Sequence, residues 1–290
     1  MAIYTMGGTL LEKAYTAGGT ELPAAYNISG TQIFPEGQHL RVCNYNVGQW
    51  YLGTKDNVPA NLDEAYYALQ NGMISSIDAD ILCLEEYWDQ FSKAGRTAVS
   101  MLGQYYDYIE TKNGSANDYY GRAICSKYPI LSYTSNNYTV DALRYFDEAK
   151  VSIEGTDVYV FVTHLSSSSS TYRAQQATEL LEFIEANNKM PYIICGDFNS
   201  NLKDPMSEYN IAVFQQYLDA GCSLANDGNF GLFKTFCETS DWSEATAIDN
   251  IIFSDIFTIT SVATDLTKTT DSIVAKIDHV PLYANIVMAQ

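Results

Sequence analysis

Tyr192-Ile193-Ile194-Cys195-Gly196-Asp197-Phe198-Asn199-Ser200 is an apolar run that stops abruptly at an acid and an amide. A hydrophobic strand ending this way presents polar side chains at the carboxyl edge of a sheet. Open α/β folds place their chemistry at that edge. Working outward, four other apolar runs carry polar residues of the same kind at one end: Val42-Cys43-Asn44-Tyr45-Asn46, Ile81-Leu82-Cys83-Leu84-Glu85-Glu86, Val160-Phe161-Val162-Thr163-His164 and Ile248-Asp249-Asn250-Ile251-Ile252. A further polar pair, Asp278-His279, precedes Val280-Pro281-Leu282. Acids, amides and imidazoles gathered at strand ends can hold a metal or a phosphate, and the set reads as an enzyme.

The chain of 290 residues suits one large domain, with no Pro- or Gly-rich linker dividing it. With 35 acids against 16 bases the formal charge is −19. This argues against coating a polyanion, which relies on Lys and Arg neutralising phosphates. A phosphate-ester substrate remains compatible, because a carboxylate-held divalent ion supplies positive charge locally. Of the six cysteines, Cys43, Cys83, Cys125 and Cys195 lie in apolar strand-like runs at no metal-binding spacing, and read as reduced core residues; Cys222 and Cys237 stay undecided. No basic segment followed by an apolar stretch opens the chain, so no secretory leader is expected. No run approaches the ~20 apolar residues of a membrane span. The expected location is cytoplasmic or on a larger assembly.

Residues 1–34 differ from the rest. Gly8-Thr9, Gly19-Thr20 and Gly30-Thr31 recur at a spacing of 11, each followed after one residue by Leu11, Leu22 or Ile33. Each unit reads as a short strand and a turn. Three are too few for a free-standing solenoid, so an N-terminal arm is expected to pack on the main domain, on another copy or on a larger assembly. Residues 35–290 form the second unit. There the pattern predicts strands at 40–46, 80–85, 105–110, 121–126, 249–254, 257–264 and 281–288. It predicts helices at 60–78, 92–102, 171–187 and 207–218, with antiparallel strands over 129–163 turning at Glu154-Gly155-Thr156-Asp157. The serine run 166–170 reads as a mobile loop at the rim of the site.

In order, N-Y-N-V-G (44–48), L-C-L-E-E (82–86), G-R-A-I-C-S-K-Y-P-I (121–130), T-H-L (163–165), G-D-F-N-S (196–200), I-D-N-I-I (248–252) and D-H-V-P-L (278–282) resemble the endonuclease/exonuclease/phosphatase (DNase I-like) superfamily. The resemblance implies a four-layered α/β sandwich: two mixed, mostly antiparallel sheets face to face, with helices outside. It implies a Mg²⁺- or Mn²⁺-dependent phosphodiesterase, with a nuclease as the leading reading. A sphingomyelinase-like or inositol-polyphosphate phosphatase-like hydrolase is the alternative, and an assembly-anchored protein with an idle domain is the rival from another class.

By the same resemblance, Asn46, Glu86 and Asp278 hold the metal. Asp197 orients or deprotonates the attacking water and Asn199 holds the scissile phosphate. His279, fixed by Asp249, contacts a phosphoryl oxygen, and His164 serves the phosphate or leaving group from the other side. Hard Mg²⁺ favours such oxygen ligands. Each residue also has a plainer reading. Asn46 and Asn199 suit turn caps, Glu85 and Glu86 a solvated strand end, and His39 a structural role. Arg122 and Lys127 fit either phosphate steering or a hairpin surface. Gly48 stands where some relatives carry an Asp, which points to one principal metal.

Overall fold

The computed structural model describes residues 37–50, 60–91, 96–112, 121–141, 143–200, 208–237, 242, 245–265 and 278–289. The 11-residue repeats fall outside these. The chain begins with β1 (Gln38–Asn46), α1 (Ala60–Ile77) and β2 (Ile81–Glu85). A small hairpin of β3 (Gln90–Phe91) and β4 (Arg96–Thr97) leads to α2 (Ala98–Leu102), β5 (Tyr108–Lys112) and β6 (Arg122–Ser126). Next come β7 (Ile130–Asn137), β8 (Tyr145–Ile153), β9 (Thr156–His164), α3 (Ser170–Ala186) and β10 (Tyr192–Asp197). The remainder is α4 (Glu208–Asp219), β11 (Ser223–Leu224), β12 (Asp249–Phe253), β13 (Phe257–Thr264) and β14 (Leu282–Met288).

The strands form two six-stranded sheets, β13-β14-β1-β2-β6-β5 and β11-β12-β10-β9-β8-β7. Each is mixed and holds one parallel pair, β1 with β2 and β9 with β10. A parallel pair needs a crossover connection, here α1 and α3 respectively. The sheets bury a shared layer of Val42, Ile81, Cys83, Val160, Val162, Ile193, Cys195 and Ile251. Alternate residues of the same strands pack outward. Cys43, Leu82 and Leu84 meet Met73, Ile74, Met101 and Leu102 on one side, and Phe161, Ile194 and Ile252 meet Ala177, Leu180, Val213 and Phe214 on the other. The order is helix, sheet, sheet, helix, the sandwich expected from the motif series.

The local differences have physical causes. β5 starts at Tyr108 rather than near 105 because residues 103–106 are spent turning off α2, with Tyr105 and Tyr106 amides donating to Leu102 O. Helix α2 begins at Ala98, where the Thr97 side chain caps it by accepting from Ser100 N. The β8–β9 turn is tighter than four residues, with Glu154 and Gly155 both at positive φ, as a two-residue primed turn requires. All six cysteines, Cys222 and Cys237 included, are free and buried. Among the described residues no helix is long and apolar enough to cross a membrane.

Gly196 is required by a close approach. A Cβ there would lie 2.8 Å from Thr163 O and 2.9 Å from Thr163 Cγ2, against the neighbouring strand's backbone. Gly196→Ala is expected to cost about 1–3 kcal/mol of stability, the usual penalty for forcing atoms into a packed core. Urea unfolding of the variant checks this.

Candidate active site

The inward-facing positions that carry Val, Ile and Cys through the middle of each sheet carry polar groups at one end. On the first sheet Asn46 pairs with Glu85, Glu85 with Arg122, and Arg122 with Lys112, a row across four adjacent strands. On the second, Asp249 pairs with Asp197 and Asp197 with His164. Phe146 pairs with Thr163, and continuing that register sets Tyr145 beside His164. The two rows face each other across the seam between the sheets.

Asp197 lies at the centre. His164 Nε2 is 3.5 Å and His279 Nε2 3.6 Å from its Oδ2, and Asn46 Nδ2 donates to the same oxygen at 3.1 Å. Its other oxygen, Oδ1, accepts the Asn199 amide at 2.9 Å, a local turn that sets Asn199 at φ 48°. Asn is among the few residues that tolerate this left-handed backbone. The Asn199 side chain donates to Leu165 O at 3.1 Å. His279 is tied through Nδ1 to Asp249 Oδ2 at 3.0 Å, and its ring packs on Phe236 with centroids 4.8 Å apart. Asp249 in turn meets Asn44 Nδ2 at 3.4 Å, and its own amide donates to Thr235 Oγ1 at 3.1 Å.

Glu86 follows β2 at φ 50°, an uncommon conformation for a non-glycine residue and a frequent mark of functional sites. Its Oε1 accepts from Asn46 Nδ2 at 3.3 Å and lies 3.9 Å from His164 Nδ1. Asp278 is half-buried, and its charge acts on both Glu86 and His279. Asn44, Arg144, Arg173 and Thr235 also serve the site but were assigned no role from sequence. Arg144 donates to His164 O at 3.2 Å, and Arg173 to Ser200 Oγ at 3.1 Å and Ser166 O at 3.0 Å. Asn44 was legible through alternation, since it shares the inward face with Asn46. The arginines sit in segments with no strand-end signal.

Burial, then repulsion from Asp249, pushes the Asp197 carboxyl up to about 7, although His279 opposes this. Burial alone would lower His279, but Asp249, Asp197 and Asp278 outweigh it and push the ring up to about 10. His164 moves the other way: burial, then Arg144, Arg122 and His279, hold it well below the usual imidazole range. Burial raises Glu86. Thus one ring is cationic and the other neutral on either side of one carboxyl.

Several expectations need correcting. Glu85 is no solvated strand end: it is fully buried, and neither carboxylate oxygen has a hydrogen-bond partner among the described residues. Arg122 is also fully buried. Lys127 is engaged at the opposite end of the sheet, 2.7 Å from Asp78 and 3.3 Å from Asp80. The serine run is pinned: Ser166 N donates to Gln176 Oε1, Arg173 holds the Ser166 and Ser167 carbonyls, and Ser169 caps α3. Asn46 turns its Nδ2 to the carboxylates, while its Oδ1 accepts the Gly48 amide at 3.0 Å.

The donor set suits a divalent cation. Glu86 Oε1 and Asp197 Oδ2 share the Asn46 Nδ2 donor, burial raises both carboxyls, and a bound positive charge would offset that cost. Asp197, Asp249 and His279 offer ligand atoms within 4.8 Å of one another. Since His279 and Asp249 already bond each other, the neighbouring Glu86 and Asp278 are the freer carboxylates.

Residues 38–271 match the model of the endonuclease/exonuclease/phosphatase family. The chain belongs to that family. Its members are hydrolases of phosphoester bonds. A family structure from Bacteroides vulgatus superposes with TM-score 0.65 at 15% identity, covering 87% of this chain and 100% of that one. The human Nocturnin catalytic domain with bound sulfate gives 0.63 at 18% identity, covering 87% and 94%. ANGEL2, a 2′,3′-cyclic phosphatase in complex with adenosine-2′,3′-vanadate, gives 0.63 at 17%, covering 87% and 96%. At these identities the likeness is one of fold. A search of curated proteins by sequence finds no match.

Proposed function

We propose that the chain is a divalent-metal-dependent phosphodiesterase acting on nucleic acid or a nucleotide ester. The observation that carries this reading is the buried array in which a single carboxyl, Asp197, lies within 3.6 Å of two imidazoles, His164 and His279. Glu86 and Asp278, with Asn46 beside them, would hold Mg²⁺ or Mn²⁺. When bound, such an ion polarises the phosphoryl group and offsets its negative charge.

The chain's own residues do the rest. Asp197 takes a proton from the attacking water as the new P–O bond forms. Cationic His279, kept in orientation by Asp249, donates from Nε2 to a phosphoryl oxygen whose charge grows. Neutral His164 faces the same phosphate from β9. Asn199 offers its amide to the phosphate, and the P–O bond to the alcohol breaks on the opposite side. The structures with bound sulfate and with adenosine-2′,3′-vanadate support a family site that accepts phosphate-like anions.

Bis(4-nitrophenyl) phosphate is expected to be turned over with Mg²⁺ or Mn²⁺, and a chelator should remove the activity reversibly. Absence of turnover with either ion would sink the reading. Plasmid nicking, set beside sphingomyelin and inositol-phosphate turnover, separates the nuclease from the alternatives. Residues 1–34 are assigned to attachment or self-association. Removing them should leave ester hydrolysis unchanged while abolishing any oligomer seen by light scattering.

A further inference from the structure

Two segments leave the second sheet side by side at the catalytic edge, residues 165–168 after β9 and 198–200 after β10. Leu165 N donates to Asp197 O at 2.9 Å, which carries the parallel pairing one step past the strands. From there side chains of α3 join the two segments. Arg173 Nε donates to Ser200 Oγ at 3.1 Å, while its Nη1 donates to Ser166 O at 3.0 Å and to Ser167 O at 3.4 Å. Three residues on, Gln176 Oε1 accepts the Ser166 amide at 2.9 Å. Ser166 and Ser200 are both buried.

Asn199 lies inside this arrangement. Its backbone amide bonds Asp197 Oδ1, and its Nδ2 donates to Leu165 O at 3.1 Å. Following the contacts gives a closed ring: Asn199 to Leu165, along the chain to Ser166, across Arg173 to Ser200, and back along the chain to Asn199. A primary amide nitrogen carries two hydrogens. With one given to Leu165 O, the direction of the other depends on how Leu165 and Asn199 stand to each other. Arg173 holds that relation. A guanidinium is a rigid planar fork whose donors can tie two segments at once, whereas an ammonium is a point charge on a flexible stem.

We propose that Arg173 is a positioning residue: it clamps the exits of β9 and β10 together and so aims the second Nδ2 hydrogen of Asn199 at the phosphate. The assignment rests on the phosphoesterase reading above, in which Asn199 meets the phosphate, and adds a residue that touches no reacting atom.

Turnover of bis(4-nitrophenyl) phosphate by single and double variants tests it. Arg173→Met keeps much of the stem and removes the fork. It should lower kcat/KM by about 10- to 100-fold, the scale of loss when a group in the site is displaced by about an ångström. Asn199→Gly removes the side-chain amide and suits the backbone φ of 48° at that position. In that background Arg173→Met should cost no more than a further factor of about two, the ordinary scatter between independent changes. An arginine with a merely structural role would cost the same in both backgrounds, so additive losses overturn the proposal. Full activity in Arg173→Met also overturns it. Arg173→Lys keeps the charge but cannot tie both segments; it should stay as low as Arg173→Met, and full activity in it overturns the clamp.

Thermal melting shows whether each variant is folded. Should Arg173→Met fail to fold, Ser200→Ala, which removes only the acceptor of Nε, takes its place in the same two backgrounds. A loss confined to the chain that keeps Asn199 supports the clamp; no loss, or an equal loss in both, overturns it. Absence of hydrolysis by the unaltered chain refutes the phosphoesterase reading and this assignment with it. Hydrolysis that Arg173→Met leaves unchanged refutes the assignment alone.

Discussion

Asp197→Asn is expected to lower kcat by about 10²- to 10⁴-fold, the usual contribution of a positioned base. An amide keeps the shape of the carboxyl and can still accept the Asn199 N–H, but it cannot take a proton from water. The same change should make the protein more stable at neutral and alkaline pH. Asp197 has its proton held up to about 7, so the folded state disfavours its ionised form. Below about pH 4, where an unfolded aspartate is also protonated, that penalty is absent. It grows between pH 4 and 7 and is complete above 7. A variant that is nearly inactive yet melts higher at pH 8 than the unaltered chain is the expected result, read by steady-state kinetics and thermal denaturation without metal. Equal activity in the variant would remove Asp197 from the chemistry.

Asp249→Asn should act through His279 and move the pH profile as well as the rate. With Asp197 needed ionised and His279 cationic, activity rises through about pH 7 and falls through about pH 10. Asp249 raises both groups. Removing its charge should therefore shift both limbs to lower pH, with kcat reduced about 10- to 100-fold, the range seen for residues that orient a histidine. A purely structural role would lower activity without displacing either limb. The linkage for the ring has the opposite sign to that of Asp197. Stability from the His279–Asp249 pair is fully present below pH 6.5 and is lost as pH rises through about 10.

The two large effects concern residues that were readable as strand ends, and the reason is periodicity. Ile193, Cys195 and Asp197 alternate inward on one strand, as do Val160, Val162 and His164 on its neighbour. A core pattern ending on an acid or imidazole therefore marks both the sheet face and the cleft. Glu85 was misread because two successive acids look like a solvated end, although strand alternation assigns the first to the interior. The rows themselves were not legible, because pairing register depends on contacts between separate segments, such as Asn46 with Glu85 and Asp197 with Asp249. The roles of Arg144 and Thr235 were hidden similarly: each lies outside a strand and bonds a backbone group of one, His164 O and Asp249 N respectively. The Asn46 amide orientation depends on Gly48, whose backbone turn no spacing rule specified.

Among the described residues the last strand closes on the first: β14 pairs with β1 over seven residues, from Gln38 with Met288 to Asn44 with Leu282. His279 lies just before that closing strand, while Asp197 and Asp249 belong to the opposite sheet. During synthesis on the ribosome, both acids emerge before His279, and β1, with β2 on one side, waits for β14 on the other until residue 288 is free. The proposed site is therefore complete only once β14 has joined β1 and carried His279 to the two acids.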